Sequence, residues 1–158
     1  LAAGAAVCAG ELEQAGRELW SHAGKEACRK MSAPDWRIIG LVNWGVWVAG
    51  GRFPGTRALL ESLGPAFRPH EVLFARMPPG SAIGLHSDNM NFVLTAHVGL
   101  RLDPSGCSLS VGEHTSGWRE GEALVFDTSY LHAAENASWR DRDVLVVRFW
   151  HPGVTEEE

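Results

Sequence analysis

Two periodicities divide the chain. In the first third, Leu12, Ala15, Leu19, Trp20, Ala23 and Ala27 recur at the spacing of one helix face, which predicts a helix over residues 11–30. Gly16 and Gly24 interrupt that pattern. A shorter helix is predicted over 56–63, with Thr56 as N-cap, Leu59, Leu60 and Leu63 on one face, and Gly64-Pro65 as the stop. Elsewhere the residues are those of strands. The stretch 35–49 is rich in Trp, Ile and Val and suits a strand or a hairpin. Further strands are expected over 70–77, 92–102, 107–111, 123–127 and 143–150. The turn signals Pro78-Pro79-Gly80, Asp103-Pro104-Ser105-Gly106 and Glu120-Gly121 separate them. Helices first, then many short strands, predict a mainly β (α+β) double-sheet jelly roll with its N-terminal helices packed outside.

Composition narrows the function more than the fold. A length of 158 residues suits one domain, taken as 1–158, with a single buried core. The net charge of -5 and the scattered basic residues give no reason to bind nucleic acid or an anionic membrane. No run of about 18 apolar residues lacks a polar break, so no transmembrane segment is expected. The 3 cysteines, Cys8, Cys28 and Cys107, form no CxxC pair and read as small core residues. The chain begins with Leu, so it is expected to be part of a longer one. Its Ala/Gly-rich residues 1–10 read as the tail of a targeting segment without the basic end of a signal peptide. The compartment stays open, with cytoplasmic or organellar favoured over secreted.

Most of the 7 histidines need no special role. His22 falls in the first helix, His70 opens a strand, His114 lies in a polar stretch and His151 precedes Pro152. His86-Ser87-Asp88 is different, because residues i and i+2 of an extended chain point to one side. An imidazole nitrogen and a carboxylate oxygen can then meet one ion. A third ligand must come from another strand, and His132 follows the apolar run 123–126. Two histidines and one carboxylate on one face of an ion leave positions open, the arrangement of non-haem Fe(II) oxygenases. HxD alone recurs by chance, and the later histidine adds weight. Arg142 adds more. A guanidinium inside an apolar barrel needs an anion, and the distal carboxylate of 2-oxoglutarate can form a bidentate pair with it. The alternative is a surface arginine paired with Asp141 or Asp143. The Trp and Val stripes read as core, Trp44 and Trp47 among them, whereas Trp118 could line a pocket.

With these motifs in hand, the sequence resembles the aspartyl/asparaginyl β-hydroxylase family. The matching pieces are PPGSAIGLHSDNMN (78–91), HVGL (97–100), GW followed by EGEALVFDTSYLHAAEN (117–136) and FWHP (149–152), with TRALLESL (56–63) a weaker match upstream. The resemblance implies a double-stranded β-helix, Fe(II), O2, and 2-oxoglutarate decarboxylated to succinate while an unactivated C–H bond is hydroxylated. It implies that His86 and His132 ligate the metal and that Arg142 and His97 contact the co-substrate carboxylates. His97 would share a strand face with Val93, Thr95 and Gly99, and its alternative role is that of a core histidine. Three positions depart from the family pattern. Asp88 is an acid that some members lack, Thr95 stands where the family often has Arg, and Ala75 stands where a Ser is expected. The last two leave the co-substrate carboxylate near the metal short of partners, for which Arg76 and Arg148 are the candidates.

The substrate is expected to be a peptide side chain, an acyl chain or a small metabolite. Two rivals remain. A non-catalytic cupin-like module could use the same ligands for a structural or sensing metal, and a metal-dependent hydrolase or isomerase could use the same barrel. Neither has a use for Arg142.

Overall fold

The structure is a computed structural model describing residues 2–22, 35–65 and 67–154. The first helix, α1, is Ala2–Gln14, so it starts earlier and stops sooner than the apolar spacing over 11–30 predicts. Alanine is the best helix former, and the Ala/Gly-rich run at the start of the chain is helical. Ala5, Cys8 and Leu12 are buried on one face of it. Gly16 takes extended backbone and ends the pattern. A 3-10 turn (Arg17–Leu19) and strand β1 (Ser21–His22) follow, so His22 sits exposed on a strand rather than in a helix. Ala23, Gly24, Ala27 and Cys28 lie outside the described residues.

Helix α2 is Pro54–Ser62, with proline at its start and Gly64 at φ 88 beyond its end. Thr56 is not its N-cap. Phe53 occupies that position without a side-chain bond, and the first-turn donors go to Glu11 of α1. The Glu11 carboxylate accepts from Gly55 N (2.6 Å), Thr56 N (2.8 Å) and Thr56 Oγ1 (2.7 Å). The two helices approach closely because Gly4 and Gly55 carry no side chain; a Cβ on either would collide with Leu59 or Val7.

The remaining strands are β2 (Arg37–Asn43), β3 (Val46–Trp47), β4 (Pro69–Met77), β5 (Ser81–His86), β6 (Val93–Arg101), β7 (Cys107–Val111), β8 (His114–Gly117), β9 (Ala123–Phe126), β10 (His132–Asn136) and β11 (Arg142–Trp150). They form two antiparallel sheets. The larger runs β1-β2-β4-β11-β6-β9 with β3 on β2, and the smaller runs β5-β10-β7-β8. The hairpin expected over 35–49 is β2–β3, turned at Trp44 (φ 48) and Gly45 (φ 75), the positive-φ pair of a primed turn. This puts Trp44 outside at 68% exposure, not in the core.

Alternation along the larger sheet makes two cores. Val72, Phe74, Ala96, Val98, Leu145 and Val147 face the helices, with Ala5, Cys8, Leu12 and Leu60. Leu73, Ala75, Met77, Val144 and Val146 face the smaller sheet, meeting Leu109 and Ala134. This is the jelly roll with helices outside. Cys8 and Cys107 are buried free thiols, as expected of core residues. Among the described residues, no helix is long and apolar enough to cross a membrane.

Candidate metal centre

The inner face of the jelly roll carries the site, because the residues that break its apolar pattern all point there. A cavity of about 270 Å³ between the sheets is lined by His86, Asp88 and His132 and also by His97 and Arg142. The five residues singled out by sequence therefore meet in one place. One nitrogen or oxygen from each of His86, Asp88 and His132 can be chosen so that all lie within 4.8 Å of one another.

Each of the three is set by local backbone. His86 ends β5 and His132 opens β10, where they are antiparallel Cα partners with a bulge just beyond. Their rings lie 4.2 Å apart. His86 Nδ1 lies 2.7 Å from Gly84 O, and His132 Nδ1 lies 2.9 Å from Tyr130 O. A carbonyl accepts only, so each Nδ1 carries the proton and each Nε2 keeps its lone pair. Such second bonds orient metal-binding imidazoles. Asp88 lies past the strand end, tied by its N–H to Thr128 O at 2.8 Å. Its Oδ1 is 3.9 Å from His86 Nε2.

Arg142 enters from the start of β11 and is 2% exposed. Its guanidinium lies 4.4 Å over the ring of buried Trp118, a cation–π contact. Trp118 thus supports the pocket from beneath. Nε and Nη1 of Arg142 have no hydrogen-bond partner. Asp143, the surface partner considered for it, instead binds Arg76 and Arg101 on the helix side of the sheet. Burial lowers the Arg142 pKa to about 10, so it stays charged at neutral pH.

His97 lines the same cavity from β6, stacked on Trp118 and edge-on to Phe126. Its Nδ1 has no partner. Burial first, and then the charges of Arg142 and Arg148, hold its pKa well below the ordinary histidine value, so the ring is neutral. An anion entering this cavity meets one unpaired guanidinium and one neutral imidazole.

Of the two arginines considered as compensation for Thr95 and Ala75, Arg76 points away. It pairs with Asp143 and stacks over Trp20 at 4.5 Å. Arg148 points in. It is the cross-strand partner of both Glu71 and Thr95 and bonds Glu71 Oε2 at 2.6 Å and Asp88 Oδ2 at 3.1 Å. Glu71, Trp36 and Ile38 complete this side of the cavity. No sequence signal marked Glu71 or Trp36, because their roles depend on which strands become neighbours.

The fold and the inward-facing His/Asp/His cluster define a cupin-like β-helix of the kind that houses metal-dependent oxygenases. The sequence matches the aspartyl/asparaginyl β-hydroxylase family over residues 6–152, and the chain belongs to that family. It is 36% identical over 132 residues to human aspartate β-hydroxylase domain-containing protein 2, covering 78% of this chain and 36% of that protein. To mouse aspartyl/asparaginyl β-hydroxylase it is 31% identical over 107 residues, covering 66% of this chain and 14% of that protein. The chain therefore spans only a minor part of these relatives. Its fold is similar to a Pseudomonas putida prolyl-4-hydroxylase (TM-score 0.68, 16% identity, 97% of this chain and 89% of that one). It is also similar to a 2OG-Fe(II) oxygenase-family oxidoreductase from Burkholderia pseudomallei (TM-score 0.63, 17% identity, 87% and 76%).

Proposed function

We propose that this chain is the catalytic domain of an Fe(II)- and 2-oxoglutarate-dependent dioxygenase that hydroxylates an unactivated C–H bond. His86, Asp88 and His132 would hold Fe(II), and Arg142 and His97 would take the co-substrate carboxylates. The observation that carries the reading is Arg142, a buried cation whose Nε and Nη1 have no hydrogen-bond partner and which lines the same cavity as the His/Asp/His cluster. A metal-only module has no need of it. The donor set fits Fe(II), since two Nε2 lone pairs and one carboxylate make a facial triad. When bound, iron and 2-oxoglutarate together supply the activation of O2 that C–H hydroxylation requires.

The chain's own residues do the rest. The carbonyls of Gly84 and Tyr130 fix the imidazole tautomers. Arg142, held over Trp118, orients the co-substrate by a charge-assisted pair. Neutral His97 can offer a hydrogen bond without adding a charge. Leu73, Leu109, Phe126 and Val146 make the cavity wall apolar and keep water low. The substrate class stays that of a peptide side chain, an acyl chain or a small metabolite.

The test is succinate release from 2-oxoglutarate by the protein with Fe(II) and ascorbate, with mass spectrometry of candidate substrates for a gain of one oxygen. We expect succinate above the metal-free control. Tight metal binding with no succinate under any substrate would replace this reading with the cupin-like binding module.

A further inference from the structure

His86 and His132 come from the smaller sheet, where strand pairing fixes them. Asp88 lies beyond that pairing, because β5 ends at His86. Its backbone is tied to Thr128, a bond that does not itself set the direction of the carboxylate. What faces the carboxylate from the other side is Arg148 of the larger sheet. Its Nη2 donates to Asp88 Oδ2 at 3.1 Å while Nη1 donates to Glu71 Oε2 at 2.6 Å. Arg148 and Glu71 are direct cross-strand partners on β11 and β4, the last pair of an unbroken seven-pair ladder before the register shifts at Phe149. The guanidinium is a rigid plane, so anchoring Nη1 to Glu71 fixes the direction of Nη2. One carboxylate oxygen of Asp88 is then occupied, and the other, Oδ1, lies 3.9 Å from His86 Nε2.

We infer that Arg148, held by Glu71, is the positioning residue that turns Asp88 toward the metal. The inference rests on the reading of Asp88 as a ligand. It gives the third ligand a support that crosses from one sheet to the other. Arg148 touches Asp88 and Glu71, not the reacting atoms, and acts through Asp88. An ion pair serving stability alone would not couple to metal affinity. An arginine serving the co-substrate would act whether or not Asp88 is present.

The test is Co(II) binding to the metal-free protein without 2-oxoglutarate, by calorimetric titration and by the visible absorption of the bound ion. Arg148→Lys keeps the charge and loses the two-armed fork, so it reads geometry rather than electrostatics. The expected result is about tenfold weaker Co(II) binding, the lower end for changes behind a metal ligand, with an altered visible spectrum. In an Asp88→Ala background, Arg148→Lys should cause no further loss. Parent-like binding by Arg148→Lys, or the same loss with and without Asp88, overturns the inference. If Arg148→Lys does not fold, Glu71→Gln takes its place. Its effect must likewise vanish in the Asp88→Ala background, and an effect that persists there overturns the inference. Asp88→Ala alone separates the two levels: unchanged binding removes Asp88 from the ligand set, whereas weakened binding beside a normal Arg148→Lys removes only Arg148.

Discussion

His86 and His132 face each other as Cα partners across β5 and β10, with ring centroids 4.2 Å apart and both Nδ1 atoms against backbone carbonyls. Strand pairing thus brings together two residues far apart in sequence, and the carbonyls engage both Nδ1 atoms. His86→Ala and His132→Ala should each weaken Mn(II) or Co(II) binding by more than about a hundredfold, beyond what changes behind a ligand usually cost. Asp88→Ala should cost at least about tenfold. Metal affinity should fall on acidification, because protons compete with the metal for its ligands. Calorimetric titration of the three variants checks the order, and equal affinity of Asp88→Ala and the parent would leave a two-histidine site.

How much of this was legible depended on which residues a strand turns inward. Strands β4, β6 and β11 carry Val, Leu and Phe, and their bounds were expected nearly as found. Strand β10 turns His132, Ala134 and Asn136 inward, which shows no apolar alternation, and β8 is exposed throughout. β5 has exposed Gly84 and Leu85. None of these three was foreseen, although β5 and β10 bear the histidines. The candidate site was legible because its residue types break the local pattern: HxD, a histidine after a later apolar run and an arginine opening an apolar strand each stand out. Glu71 does not stand out, and Arg148 was singled out only as a candidate partner of the co-substrate, because their link to each other lies in the pairing of β4 with β11.

The helical layer offers a test far from the cavity. Glu11 accepts three hydrogen bonds at the start of α2, two from backbone N–H groups that the helix cannot satisfy itself. Glu11→Ala should lower stability by about 1–2 kcal/mol, the upper range for a lost helix cap, and leave metal affinity unchanged. Urea unfolding beside Co(II) titration checks both. Undiminished stability would mean that solvent satisfies these donors as well as Glu11 does.

His97 makes stability depend on pH with a definite sign. Its folded pKa lies well below the ordinary value because burial and nearby cations disfavour the charged ring. The unfolded chain therefore binds the proton more readily, and the stabilisation present above about pH 6.5 is lost as the pH falls toward the folded pKa. Metal-free protein should lose stability between pH 7 and 5 more steeply than His97→Gln. Parallel slopes in urea unfolding would mean that His97 protonates freely in the folded state.

On the proposed function, Arg142 is the residue through which the cavity would hold its co-substrate. It is buried, its Nε and Nη1 are unpaired and its pKa is pulled to about 10. Trp118 offsets part of the desolvation through its ring face, and an anion would complete the bonding with a charge-assisted pair. A charge-assisted hydrogen bond contributes about 1.5–3 kcal/mol, so Arg142→Ala should weaken 2-oxoglutarate binding roughly 10- to 100-fold. Its metal affinity should stay close to the parent's, because Arg142 is not part of the His86/Asp88/His132 cluster. A ligand that binds only the folded state raises its stability. Saturating 2-oxoglutarate with Mn(II) should therefore raise the melting temperature of the parent, and the same concentration should do little for the variant. Arg142→Lys keeps a charge but loses the fork that matches a carboxylate, and it should fall between the two. If Arg142→Ala binds 2-oxoglutarate as the parent does, the guanidinium serves the barrel's own packing and the co-substrate site lies elsewhere.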